Sequence, residues 1–250
     1  TVRALMSRQR CWRCRARMSF SMPTLDEVDD LALYYWPTPN GYKVAIMLEE
    51  LGLAYQVLPI NITKGDQHAD GYVQQVPTRK IPALRHQRRG AEQIVFESGA
   101  ILLYLAEWQG RFLPEDVGLK WQCLQWLFWQ VGGLGPMAGQ AHHFRLYADL
   151  KDDYAIDRYE RACQKLYAVL EGQLQQKPFL AGAYSIADIA VLPWVYRHVR
   201  HGIDLVDYPA VLSWYTGLMQ RPAVRKGFSV GQDLIAKGNF SGALAKRSLF

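Results

Sequence analysis

The sequence predicts a small α/β domain followed by an all-helical domain. Between residues 31 and 107, runs of β-forming residues alternate with runs of helical periodicity. From residue 117 onward no strand-like alternation occurs, and apolar residues recur at helical spacing instead. The segment between these parts contains Pro114 and is the best domain boundary. Two hundred and fifty residues are enough for two small domains with a substantial core.

These observations divide the chain into five parts. Residues 31–110 form the α/β domain, residues 111–117 the linker, and residues 118–235 the helical domain. Residues 236–250 are a weakly patterned tail. Residues 1–30 are a basic extension that we expect to be disordered.

The positive charge of the chain lies in the extension. Residues 1–25 hold six of the 29 basic residues and no acid, so the remaining 23 basic residues match the 23 acids. A neutral globular part does not favour nucleic acid as a partner. The Arg-rich extension resembles an organellar transit peptide, but we favour a start-site artefact, with Met18 or Met22 as the native first residue.

Cysteine usage and hydropathy bear on the compartment. Cys11 and Cys14 form a C-x-x-C motif without strand–helix context or a second ligand pair, so we predict neither a redox motif nor a zinc site. Cys123 and Cys163 lie on apolar faces of predicted helices, where we expect core residues. No run reaches the roughly 18 apolar residues of a membrane helix. We therefore expect a reducing, cytoplasmic location and no membrane partner.

The first strand and helix surround a stiff turn. Residues 31–35 read as a strand and residues 42–52 as a helix, with two prolines in the turn between them. Asn40 stands at the predicted N-cap. An exposed helix N-terminus offers N–H donors and partial positive charge, which favour anions, thiolates included.

Three further segments complete the α/β domain. Residues 55–60 form a second strand and residues 61–75 a polar loop. Pro82 marks an edge, a strand start or a cis bond, and a cis bond would turn the backbone of Ile81 outward to pair with an extended ligand. Residues 85–90 read as a hairpin loop leading into a strand at 93–96 and a helix at 100–107. Glu97 and Ser98, which precede this helix, either cap it or bind an ammonium and a carboxylate.

The helical domain contains a long helix at residues 154–174 with one apolar stripe. The helix at 119–131 ends at a glycine-rich stretch in which Pro136 indicates a kink or break. Ser185 and Asp188 have capping-box spacing, and residues 209–221 form another helix. The predicted helix at 119–131 carries four large aromatic residues, Trp121, Trp126, Phe128 and Trp129. They would line a pocket, the core or a dimer interface, and we favour the core.

The only histidine pair in the sequence is His142-His143. Adjacent residues do not face one way on a helix, so a shared metal site is not expected. We predict surface or interface positions for both residues.

Three segments of the sequence are specific: PTPNG at residues 37–41, FESGAILLYL at 96–105 and QWLFWQVGGLGPM at 125–137. Together they resemble cytosolic glutathione transferases, most closely the nu class. The resemblance covers about residues 31–228. It implies a thioredoxin-like N-terminal domain, an all-helical C-terminal domain, a homodimer, and glutathione as co-substrate without a metal. The nu class is described as glutathione-dependent disulfide-bond oxidoreductases.

The resemblance also implies roles for individual residues. Thr38 and Asn40 would lie at the glutathione thiol as the catalytic residues, and Arg158 would reach the site from the partner subunit. The remaining residues expected to bind glutathione are Asn40, Gln67, Lys80, Ile81, Glu97 and Ser98. The family usually reads SPNNKIP where this chain reads VPTRKIP, so Thr78 and Arg79 replace two asparagines. Arg79 would either strengthen carboxylate binding or crowd the pocket.

Three functions remain open at this point. No Cys, Tyr or Ser stands at the expected thiol contact, so the nucleophile would be the thiolate of bound glutathione. That thiolate would reduce a disulfide, with a second glutathione resolving the mixed disulfide. The same thiolate would alternatively conjugate electrophiles, and a non-enzymatic binding or regulatory role is the third possibility.

Overall fold

A computed structural model describes residues 30–237. Its N-terminal part is built on a four-stranded sheet in the order β2-β1-β3-β4. The strands are β1 (Asp30–Tyr35), β2 (Gln56–Pro59), β3 (Ala83–Arg88) and β4 (Ala91–Phe96). Strand β1 pairs parallel with β2 and antiparallel with β3, which in turn pairs antiparallel with β4. The predictions for the basic extension and for residues 238–250 lie outside the described residues.

Three helices belong to this part: α1 (Pro39–Leu51), α2 (Asp70–Gln75) and α3 (Ser98–Gln109). Helix α1 connects the two parallel strands and buries eight consecutive residues, 41–48. The loop prediction for residues 61–75 is wrong where α2 stands, because a six-residue helix with Tyr72 as its one buried residue shows no readable periodicity. Residues 85–88 are strand rather than loop, because β3 is an inner strand whose residues 85–87 pair with both β1 and β4.

Seven helices follow: α4 (Val117–Trp129), α5 (Gly135–His142), α6 (Asp153–Gln176), α7 (Ile186–Val195), α8 (Pro209–Met219), α9 (Pro222–Ser229) and α10 (Gln232–Lys237). The interruption predicted after α4 is present as a π-helical turn, Gln130–Leu134. Pro136 lies in the first turn of α5, directly after the π-helical turn.

Helix α7 is the centre of the helical part, since all ten of its residues are buried. The predicted capping box at its start is confirmed. The Asp188 carboxylate also accepts hydrogen bonds from the backbone N–H of Leu180 at 3.1 Å and from the indole of Trp214 at 3.0 Å. Burial raises the pKa of Asp188 to about 6 against the opposing effect of these donors.

Two sequence predictions about burial are wrong. Trp121 and Phe128 are 61% and 64% exposed, so they are not core residues, whereas Trp126 and Trp129 are partly buried. His142 is buried rather than on the surface, and its Nε2 lies 2.8 Å from Nδ1 of His201. A partner on a distant element, which sequence spacing does not reveal, explains this burial. Cys123 and Cys163 are buried as predicted.

Close contacts fix α1 against the helical part. A Cβ on Gly227 of α9 would lie 2.6 Å from Cγ1 of Ile46, so the two helices cross at the distance that glycine allows. Arg221 forms two hydrogen bonds with Glu50, at 2.6 and 2.8 Å. The N-terminus of α1 lies beside α7, where Trp194 contacts Asn40. Among residues 30–237, no helix combines the length and the apolar character that crossing a bilayer requires.

Candidate functional site

A cleft of about 510 Å³ lies where the N-termini of α1 and α3 approach the π-helical turn and α7. It contains seven of the eight residues predicted to bind glutathione or to act on its thiol: Thr38, Asn40, Gln67, Lys80, Ile81, Glu97 and Ser98. They come from four separate segments of the α/β part. The fold therefore brings together residues that are up to 60 positions apart in the sequence.

Thr38, rather than Asn40, is the N-cap of α1, because its Oγ1 accepts the N–H of Gly41 at 3.2 Å. Its carbonyl accepts the N–H of Tyr42, and Pro39 has no N–H to give. The backbone N–H of Asn40 is therefore the first-turn donor left without a protein acceptor among the described residues. The Thr38 hydroxyl also keeps its own hydrogen for donation.

Trp194 of α7 orients the Asn40 side chain. Its indole Nε1 donates to Oδ1 of Asn40 at 3.3 Å. An indole nitrogen only donates, so this contact assigns the amide oxygen to Trp194 and leaves the two Nδ2 hydrogens available. Asn40 and Thr38 thus present three donor groups at one corner of the cleft: the Thr38 hydroxyl, the Asn40 backbone N–H and the Asn40 side-chain NH₂. Such donors stabilise a thiolate.

The segment before β3 forms a second wall. The Ile81–Pro82 bond is cis, and the N–H and C=O of Ile81 make no backbone hydrogen bond within the described residues. The hydroxyl of Tyr72 donates to the Lys80 carbonyl at 2.6 Å and anchors this wall. Arg79 adopts a left-handed conformation with φ of 55°, which asparagine tolerates better than arginine. Arg79 and Lys80 give this end of the cleft a positive charge.

The N-terminus of α3 forms the opposite end. Glu97 has φ of 67°, and a non-glycine residue in this region is a strained feature that clusters at functional sites. Its side chain is exposed in the cleft, and Ser98 behind it is buried. An exposed carboxylate beside free helical N–H groups suits a ligand that carries an ammonium and a carboxylate together.

Two buried residues of the cleft floor, Lys43 and Gln130, were not predicted from the sequence. Lys43 is 1% exposed, and its Nζ donates to Oγ of Ser98 at 3.3 Å and to Oε1 of Gln130. Burial lowers the pKa of Lys43 to about 7, although the nearby Glu97 carboxylate acts to raise it. The available signal was a lone charge at position 43 in an otherwise apolar run, 42–48.

Gln67 and Arg158 have different surroundings. Gln67 is partly buried in the cleft, and its Oε1 has no protein partner among the described residues. Arg158 lies on α6 in a separate cavity with Tyr154 and Met137, and one chain alone does not bring it to the cleft. Its predicted role from a partner subunit stays a prediction.

Within the described part of the chain, the phenol of Tyr35 and the thiols of Cys123 and Cys163 are not suited to act in the cleft. The hydroxyl of Tyr35 donates to the Val230 carbonyl at 3.0 Å, and burial raises the pKa of this phenol. Burial also raises the pKa of the Cys163 thiol to about 12 and that of Cys123 above its ordinary value. Within the described residues, no group of three or more histidine, cysteine or acidic side chains is placed to hold a metal ion.

Comparisons with known proteins identify the family of the chain. Residues 29–107 match the family model for the glutathione S-transferase N-terminal domain, and residues 135–222 match that for the C-terminal domain. The disulfide-bond oxidoreductase YfcG of Escherichia coli is 48% identical over 195 residues, which cover 76% of this chain and 91% of YfcG. The disulfide-bond oxidoreductase YghU of the same organism is 43% identical, over 79% of this chain and 73% of YghU.

Solved structures show the same fold. A glutathione transferase from Pseudomonas putida with glutathione disulfide bound is 39% identical, with a TM-score of 0.76 over 80% of this chain and 91% of its own. A glutathione transferase from Burkholderia graminis with two glutathione molecules per subunit is 36% identical, with a TM-score of 0.75 over 81% and 89%. The predicted fold class and family resemblance are confirmed.

Proposed function

Because the chain belongs to the glutathione S-transferase family, we propose that it is a glutathione-dependent disulfide reductase whose nucleophile is the thiolate of bound glutathione. The observation that carries this proposal is the cluster of hydrogen-bond donors that Thr38 and Asn40 present at one corner of the cleft. It offers hydrogen-bond donors for a thiolate, while the described cysteines are buried away from it. The names of two relatives, both disulfide-bond oxidoreductases, support the same reaction.

The proposed binding mode places glutathione along the cleft. Its γ-glutamyl group lies at Glu97 and Ser98, its peptide backbone pairs with Ile81, and its other carboxylate faces Lys80. Gln67, with an unused amide oxygen, contacts the tripeptide between these ends. The thiol then falls at the N-terminus of α1, where partial positive charge lowers its pKa.

The proposed reaction has two exchange steps. The glutathione thiolate attacks one sulfur of the substrate disulfide, which forms a glutathione mixed disulfide and releases the other sulfur as a thiolate. A second glutathione thiolate attacks the mixed disulfide, which forms glutathione disulfide and releases the second substrate thiol. The substrate gains two electrons, and two glutathione molecules lose them. The protein contributes thiolate stabilisation and alignment of the sulfurs, and no side chain changes oxidation state.

A homodimer completes this proposal. Arg158 would enter the partner's site from α6, where it now lies in an open cavity beside Tyr154. Sedimentation of the purified protein and the glutathione affinity of Arg158→Ala test this part. A monomeric protein, or an unchanged affinity, would contradict it.

Reduction of hydroxyethyl disulfide, coupled to glutathione reductase and NADPH, tests the reaction. Replacing Asn40 by alanine removes one thiolate donor and should lower kcat/KM by about tenfold. Trp194→Phe removes only the indole N–H that orients Asn40, so we expect a loss of about two- to tenfold. Trp108→Phe, at the far end of α3 and outside the cleft, is the matched control.

The outcomes separate the possible functions. Turnover that needs glutathione and falls in both cleft variants supports the proposal. Full activity in Asn40→Ala would contradict the assigned role. Conjugation of 1-chloro-2,4-dinitrobenzene without disulfide reduction would favour a transferase, and glutathione binding without either activity would favour a binding protein.

A further inference from the structure

A buried polar cluster lies directly beneath the α3 end of the cleft. It consists of Lys43 on α1, Ser98 at the start of α3 and Gln130 in the π-helical turn. Their exposed fractions are 1%, 8% and 0%, so all three are removed from solvent. Lys43 Nζ contacts both partners, and it therefore connects three separate elements at one point. All three residues line the same cleft.

The hydrogen-bond chemistry fixes how Gln130 is oriented. The amine of Lys43 donates to the Gln130 side chain, so the amide oxygen must face Lys43. The amide nitrogen then points the other way, and no acceptor for it lies among the described residues. A Cβ on Gly135 would come within 2.9 Å of this nitrogen, so close backbone packing holds the amide in place. An unpartnered, fully buried donor in the cleft floor indicates a ligand acceptor.

Few charged groups act on Lys43, so its amine can gain or lose a proton near neutral pH. Glu97 is the charged group that acts on it, and the cluster partners Ser98 and Gln130 are neutral. The acids of α1 are paired elsewhere, Glu49 with Lys226 of α9 and Glu50 with Arg221 at the N-cap of α9. Helix α7 faces the cleft with Trp194, which carries no charge. Burial in these surroundings lowers the pKa of Lys43 to about 7.

We propose that Lys43 is a positioning residue of the glutathione site, whose buried amine orients Ser98 and Gln130 and takes up a proton when the γ-glutamyl carboxylate binds at Ser98. The inference rests on the glutathione-binding half of the proposed function. The Ser98 hydroxyl would connect the ligand carboxylate to the Lys43 amine, since the amine already donates to Ser98 Oγ. A negative charge this near favours the protonated, charged form of Lys43. By linkage, protonation of Lys43 strengthens binding of the carboxylate in return.

Calorimetric titration with S-methylglutathione tests the inference, since a blocked thiol neither ionises nor exchanges. Binding heats measured at pH 7 in phosphate and in Tris give the number of protons taken up. Because Lys43 is half protonated near its pKa, wild type should take up as much as about half a proton per site. Lys43→Met should abolish this uptake and weaken binding, whereas Lys151→Met, which removes an exposed lysine, should change neither.

A second variant keeps the test independent of the folding of Lys43→Met. Gln130→Glu places a carboxylate beside the amine and keeps Lys43 charged before ligand arrives, so proton uptake should disappear while the lysine is retained. Binding without proton uptake in wild type, or unchanged uptake in both variants, would overturn this inference alone. Absence of binding heat in every protein would overturn glutathione binding itself and the inference with it.

Discussion

Replacing Asp188 by alanine should destabilise the fold more than any other single loss of a carboxylate among the described residues. Asp188 is 0% exposed and accepts four hydrogen bonds, from the backbone N–H groups of Leu180 and Ser185, the Ser185 hydroxyl and the Trp214 indole. These contacts tie the turn before α7, the start of α7 and α8 to one side chain. Truncation strands three N–H donors in the interior.

The magnitude follows from those donors. Each buried donor left without an acceptor costs about 1–3 kcal/mol, and relief from burying a charge offsets part of the sum. We therefore expect Asp188→Ala to lower the free energy of unfolding by about 3–5 kcal/mol. Asp188→Asn should lose less unfolding free energy than Asp188→Ala, because its amide oxygen can still accept from Leu180 and Trp214. It should still be less stable than wild type, because its NH₂ would face the Ser185 N–H, which is also a donor.

Urea unfolding at fixed protein concentration, followed by circular dichroism, measures the effect. Asp157→Ala is the matched control, since it removes only an exposed pair with Arg161 and should cost under about 0.5 kcal/mol. A loss below about 1 kcal/mol for Asp188→Ala would refute the reasoning, since even one stranded donor should exceed it.

Two further predictions concern stability. Gly227→Ala should lower the unfolding free energy by about 1–3 kcal/mol, because its Cβ would overlap the Ile46 backbone. Gly172→Ala, inside α6 with open space around it, should raise it by about 0.5–1 kcal/mol, and both shifts are read from urea midpoints. An unchanged unfolding free energy in Gly227→Ala would contradict the close contact between α9 and α1. Burial and nearby arginines lower the pKa of His142 to about 3. Because the unfolded chain then binds a proton that the folded protein does not, the contribution of His142 to the unfolding free energy is complete above pH 6.5 and declines as pH falls towards 3. Wild type should lose about 2 kcal/mol from this group between pH 6.5 and 5, and His142→Gln should flatten that slope. Asp188 acts oppositely below pH 6 in both proteins, so it cancels in the comparison, and parallel slopes would contradict the assignment.

The sequence predicted those parts of the fold that have strong local signals. Strand β1, the long helix α6 and the capping box of α7 each carry a periodicity or a cap readable within a few residues. Helix α2 has too few apolar residues to show a period. Strand β3 extends through polar residues such as His86, which is buried against Tyr104 and Trp108, and these partners lie on a distant element. The exposure of Trp121 and Phe128 depends on which face of α4 other elements cover, which composition does not indicate.

The candidate site shows the same limit. Thr38, Asn40, Glu97 and Ser98 were found because helix N-termini and a family motif mark them. Lys43 was missed because its partners, Ser98 and Gln130, lie 55 and 87 residues away in the chain. Trp194 likewise has no local signal, since its contact with Asn40 spans 154 residues. Contacts between distant segments follow from the tertiary packing, and one sequence does not encode them in a readable pattern.

The most direct test of the central claim removes every thiol of the protein. A variant with alanine at Cys11, Cys14, Cys123 and Cys163 is assayed for glutathione-dependent reduction of hydroxyethyl disulfide, alongside S-methylglutathione binding as a check on its fold. If the nucleophile is the thiolate of bound glutathione, kcat/KM should stay within about threefold of wild type. Loss of turnover in a variant that still binds S-methylglutathione would show that a protein thiol carries the reaction.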